Sequence, residues 1–265
     1  SNVEFGQRLF ENKTSWAAIN DSTGMADPLA CEGAMPPYAI PNVTVQHVPV
    51  EIGLPCSRMR GNADAVTAFA IESFIDEVAT RNDLEPLSFR ISMLGQDARL
   101  VACMQSAARL AQWDGGRDQS GQGLACHRMG DAASGGRIAC IADARAGEGG
   151  LQVHRLVAVV DIGRIVNLDI ARQQIEGGLV FGLAQAMGAS TRYRSGVPVA
   201  QQLADLNLPQ LADCPEILVD FIASDELVVT WMDALSYAPL PLMEAWLFDI
   251  FMRNRDIFTG LGIGD

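Results

Sequence analysis

AVVDIGRIVNLDIARQQIEGGLVFGL, residues 158–183, changes character partway along. Its first residues finish an apolar run over 151–162, rich enough to lie inside a sheet. From 168 to 187 the stretch reads as a helix instead. Gly177, Gly178 and Gly182 fall in the interior of that helix. Glycine there costs about 1 kcal/mol relative to alanine, so the cluster requires a reason. Tight contact between helix and sheet is one; close approach of another backbone or of a cofactor is the other.

Upstream, 123–129 and 137–144 read as two further strands, with Gly135-Gly136 and the glycine-rich 147–150 as turns. That spacing predicts antiparallel hairpins. Before them come three helices. Asp64 can cap the first, whose apolar face would be Val66, Phe69, Ala70, Phe74, Ile75 and Val78. The second spans 86–94. The third spans 98–113, with Leu100, Val101, Met104, Ala107, Ala108 and Ala111 on one side and Gly115-Gly116 after it. Downstream, 217–223 and 226–231 read as strands and 241–253 as a final helix. Elements in blocks, not in strict alternation, predict an α+β fold with a mainly antiparallel sheet and packed helices. Residues 1–62 are punctuated by Pro28, Pro36-Pro37 and Pro41 and form an irregular lead, the end of a preceding domain that packs on something outside this chain. Residues 63–265 then make up the domain proper.

Composition excludes several functions. Asp plus Glu number 32 against 19 Lys plus Arg, a net charge of -13, and Lys13 is the one lysine. Nucleic-acid binding needs a basic patch that releases counterions, and none is present. The six cysteines form no CxxC pair, against a zinc ribbon or an iron–sulfur cluster. Cys103 and Cys140 sit in apolar patterns that suit buried free thiols, and His47, His127 and His154 are scattered as structural or surface residues. No metal-ligand set is expected. No apolar run reaches the ~18–20 residues of a membrane span. The start, Ser1-Asn2-Val3-Glu4, lacks the basic and apolar regions of a signal peptide, so both cytoplasm and periplasm stay open. GxGxxG, P-loop, HExxH and GxSxG motifs are absent.

The order of several motifs carries more. TAFAIESFIDEVA (67–79) followed by EPLSFR (85–90), PYAIPN (37–42), VAVVDIGRIVN (157–167) and QIEGG (174–178) together resemble the xanthine oxidase superfamily of molybdenum hydroxylases. The closer likeness is to the C-terminal part of large subunits of the isoquinoline 1-oxidoreductase β type, also called molybdopterin-binding aldehyde dehydrogenases. The resemblance implies a molybdenum cofactor-binding domain-like fold and a molybdenum–molybdopterin cofactor, in its cytosine dinucleotide form, in the full-length protein. It implies oxidation of an N-heteroaromatic or an aldehyde with water as oxygen source, aided by a carboxylate base. Partners implied are the N-terminal portion of the same subunit and a small subunit with two [2Fe-2S] clusters. Arg60-Gly61 matches the family's cofactor-side Arg loop. Asp233 falls on the family's base, a Glu in a GxGE motif, but Thr230-Trp231-Met232-Asp233 keeps neither glycine. Glu176 and Glu244 are further carboxylates to which the resemblance gives no such role. The pterin-gripping glycine-rich loops of the family are not in this chain, so the chain alone is expected to lack cofactor and activity. The alternative is a degenerate relative that keeps the fold and the assembly surface without the site.

Overall fold

The computed structural model describes residues 31, 33–48, 63–116, 120–129, 135–147 and 150–224. Three helices come first: α1 (Asp64–Arg81), α2 (Pro86–Leu94) and α3 (Ala98–Ala111). Strands β1 (Gln122–Arg128), β2 (Arg137–Gly147) and β3 (Gly150–Asp161) follow, then α4 (Leu168–Ala186). A small hairpin of β4 (Tyr193–Arg194) and β5 (Val197–Pro198), two 3-10 turns (Leu203–Leu206 and Leu211–Asp213) and β6 (Glu216–Phe221) complete it.

The main sheet has the order β1-β2-β3-β6. β1, β2 and β3 pair antiparallel, as the glycine spacing predicts, with Leu124 opposite Ile141 and Ala139 opposite Val159. β6 adds parallel to β3, Val219 beside Ala158, so the sheet is mixed. The expected strand at 226–231 and helix at 241–253 lie outside the described residues.

Both faces of the sheet are covered. Ile138, Cys140, Leu156, Ala158 and Val160 pack against Ala171, Ile175, Leu179 and Leu183 of α4. On the opposite face Leu124, Ala139, Ile141, Val157 and Val159 meet Leu100, Cys103, Met104 and Ala107 of α3, with Ile75 of α1 and Leu94 of α2. This two-sided burial explains why 138–142 and 153–160 read as apolar runs instead of alternating. Each fully buried Leu or Ile contributes about 1.5–3 kcal/mol. Gly178 and Gly182 lie on the buried side of α4 with Leu179 and Leu183, while Gly177 is exposed. Two of the three glycines therefore serve close contact of the helix with the sheet.

Two local readings change. Asp64 does not cap α1; it is the first helical residue, Ala63 precedes it without a side-chain cap, and its carboxylate turns to His127. The inward face of α1 also differs from the apolar pattern. Val66, Ala70 and Phe74 are exposed, and Glu72, Ser73 and Asp76 are buried beside Ala68, Ile75 and Ala79. Arg90 of α2 is the cause, because it lies wholly inside and needs those carboxylates. α2 starts as the sequence suggests: Glu85 accepts the Leu87 and Ser88 amides at 3.0 and 2.7 Å, and Pro86 opens the helix. From the lead segment, Tyr38 is buried within this chain, whereas 39–44 are exposed.

Candidate functional site

Strand direction decides where the chain's ends and turns meet. β1, β3 and β6 run the same way, so Arg128, Asp161 and Phe221 finish at one end of the sheet, where β2 begins at Arg137. Backbone ends and turns concentrate there, and Asp161, Asp97 and Asp64 tie several of them.

Asp161 is the most connected of these. Its two oxygens accept Arg99 Nε at 2.7 Å and Nη2 at 2.8 Å, the Gly163 amide bonds at 3.1 Å, and the Ser224 side chain bonds to it as well. Burial pushes its carboxyl up, but the bonds from Arg99, Gly163 and Ser224 outweigh that and hold it below the ordinary carboxylate range. One side chain thus joins the start of α3, the β3–α4 turn and the chain leaving β6. Asp97, which caps α3 by accepting the Leu100 amide, also accepts both bonds of the Arg137 Nε and lies 3.6 Å from Arg128. At the edge of β1, His127 Nε2 meets Asp64 Oδ1 at 3.0 Å, with both groups buried. This pins the first turn of α1 to the same end of the sheet.

Behind it lies a wholly buried ionic cluster. Arg90 donates to Glu72 at 3.0 Å, to Asp76, and to the Glu72 carbonyl at 3.3 Å. Glu72 also accepts the Tyr38 hydroxyl at 2.6 Å and the Cys126 amide at 3.0 Å. Burial alone would lower the Arg90 pKa; Asp76 and Glu72 raise it further than burial lowers it. The cluster joins α1, α2, the edge of β1 and the lead segment.

The cysteines and histidines behave as the sequence predicts. Burial pushes the Cys103 and Cys140 thiols up to about 12, so neither is a thiolate at neutral pH. His154 is exposed on β3. Among the described residues no group of three His, Cys, Asp or Glu side chains can hold a metal ion.

Two clefts open at the opposite end of the sheet. One, of about 580 Å³, lies among Asp114, Gln122, Asp143, Arg145, Arg155 and Glu216. The other, of about 530 Å³, lies between α4 and the segment before β6, with Asp213 and Glu216 on its rim. Arg155 in the first is already engaged by Asp143 at 2.8 Å and by the Ala111 carbonyl at 2.7 Å.

Arg60, Gly61 and Asp233 lie outside the described residues, as does Glu244; Glu176 is half-buried on α4. The residues on either side are described. Asp64, four positions after Arg60, and Ser224, nine positions before Asp233, are both held at the Asp161 end of the sheet. The Asp161 and Asp64 ties were missed from sequence. Asp161 stood within the DIG turn, but nothing local marked Arg99 as its partner.

Residues 98–215 match the family model of the molybdopterin cofactor-binding domain. The fold agrees: the aldehyde oxidoreductase from Desulfovibrio desulfuricans superposes with a TM-score of 0.60 over 74% of this chain and 39% of that one, at 12% identity. That of Desulfovibrio gigas gives 0.53 over 76% and 39%, at 11% identity. Residues 98–215 thus resemble a molybdopterin cofactor-binding domain in sequence, and the chain shares the α+β fold of these oxidoreductases. The chain is 26% identical over 202 residues to the beta subunit of isoquinoline 1-oxidoreductase from Brevundimonas diminuta, covering 76% of this chain and 26% of that protein. It is 25% identical over 202 residues to a nicotinate dehydrogenase subunit of Pseudomonas putida, covering 69% and 17%. The motif order and these comparisons agree in pointing to molybdopterin-dependent oxidoreductases as the proteins this chain is similar to. It spans about a quarter or less of the length of these curated relatives.

The described residues do not by themselves fit a phosphorylated pterin. Both clefts carry carboxylates of the same sign as a phosphate, and at the Asp161 end Arg99 and Arg137 are taken up by Asp161 and Asp97, which leaves the exposed Arg164.

Proposed function

We propose that this chain is the C-terminal part of a molybdenum hydroxylase large subunit that oxidises an N-heteroaromatic or an aldehyde with water as oxygen source. In this reading the chain's contribution to the site is Arg60 and Gly61 beside the cofactor and Asp233 as the base. The cofactor, in its cytosine dinucleotide form, supplies the redox chemistry, and the protein supplies placement. The rest of the pocket comes from the preceding portion of the same subunit, and electrons leave through a small subunit with two [2Fe-2S] clusters.

One observation supports this division most. The two stretches bearing the carried-over residues adjoin Asp64 and Ser224, which are fastened at the same end of the sheet. A scaffold that fixes both approaches suits a site assembled from loops on a rigid frame.

The test is turnover of the full-length protein with its partner subunit, on an N-heteroaromatic and on an aldehyde. Asp233→Asn is expected to lower kcat about 100-fold or more while molybdenum content stays unchanged. Unchanged turnover would remove Asp233 from the base's position. The second reading, a relative that has lost the site, is favoured by Thr230 and Met232 standing where the family's GxGE motif has its glycines. It predicts no turnover of either substrate by the unmodified protein.

A further inference from the structure

Among the described residues nothing covers an apolar stripe on helix α1. Val66 is 66% exposed and Phe74 62% exposed, with exposed Ala70 between them at four-residue spacing, so the three share one face. The Glu77–Arg81 pair, 3.6 Å apart, forms the stripe's charged end. Rotation of the helix cannot hide it. Arg90 engages Glu72 and Asp76 on the inward side, and Tyr38 and the Cys126 amide take further bonds of Glu72. Turning the stripe inward would break this buried cluster and strand its charges.

Resting on the reading that the chain is part of a longer subunit, we infer that this stripe is the seat of an uncharged, apolar element of the same polypeptide lying outside residues 1–265. The length of the relatives favours that occupant. This chain spans 26% of the isoquinoline oxidoreductase relative, and in the Desulfovibrio desulfuricans aldehyde oxidoreductase the shared fold occupies 39% of one longer chain. Size favours it as well. A stable contact between separate chains buries about 800 Å² on each partner, more than three side chains provide. An element joined by the backbone needs far less area, because the tether supplies a high effective concentration. Ala70 at the centre leaves room for close approach, and the absence of charge over the stripe disfavours a polar partner.

The experiment places a photoreactive phenylalanine analogue at Phe74 in the intact protein with its partner subunit. Equal amounts of isotopically heavy and light protein are mixed before irradiation, and cross-linked peptides are identified by mass. The expected product joins Phe74 to a peptide outside residues 1–265, with both halves carrying the same isotope label. Cross-links to a second copy, to the partner subunit or to residues 1–62 or 225–265, or no cross-link, would overturn the inference. Molybdenum content is measured on the same sample. A metal-free protein that still gives the expected cross-link keeps this inference and counts against the catalytic reading alone.

Discussion

Asp161 shows how one carboxylate holds three chain segments. It is almost wholly buried and its bonds from Arg99 are charge-assisted. Asp161→Asn is expected to cost about 2–4 kcal/mol in urea unfolding at pH 7, mainly by leaving Arg99 without its counter-charge. The pH dependence follows from the lowered pKa. The ionised form is favoured by folding, so its stabilisation is complete above the ordinary carboxylate pKa of about 4 and fades as pH falls through the lower folded value. The asparagine variant should lose less stability than the wild type between pH 5 and pH 2 (about three decades in acidity). Arg90→Met should be more damaging, about 3–5 kcal/mol at pH 7, because Glu72 and Asp76 stay buried. Arg90→Lys should not restore it, since one ammonium cannot span both carboxylates and the Glu72 carbonyl. At this scale the sequence was only partly legible. Cys103 and Cys140 read correctly as buried thiols from their apolar neighbours alone. Asp161 and Arg99 lie 62 positions apart and Glu72 and Arg90 lie 18 apart, so no local pattern announces either pair.

The elements themselves were easier to read than their orientations. α2, α3, α4 and the three antiparallel strands lie within a few residues of where periodicity and glycines put them. The inward face of α1 did not follow its apolar residues, because an arginine on the next helix imposes a stronger demand than Val66 or Phe74. The parallel addition of β6 was also hidden, since strand pairing after a long connection has no signature in spacing. α4 gives a test at this scale. Gly177 is exposed, so Gly177→Ala should raise stability by up to about 1 kcal/mol through helix propensity. Gly182 is buried against the sheet, and Gly182→Val should lower it by about 1–3 kcal/mol through overpacking. Thermal melts of the two variants should therefore move in opposite directions. A shared direction would mean that the glycines do not serve helix–sheet contact.

For the whole molecule, a sheet covered on both faces leaves function to its ends and to its outer helix surfaces. One end gathers Asp161, Asp97 and Asp64 with their partners. The resemblance was legible because most of its motifs lie on helices and strands, whose order survives at 26% identity. The proposed site was less so, because the residues carried over to it follow no helix or strand periodicity, and the relative is about three times longer than this chain. Molybdenum and pterin content of the full-length protein, purified with its partner subunit, tests the central claim most directly. The account predicts about one pterin-bound molybdenum per large subunit, reduced in Arg60→Ala. A well-folded full-length protein that binds neither molybdenum nor pterin would contradict it.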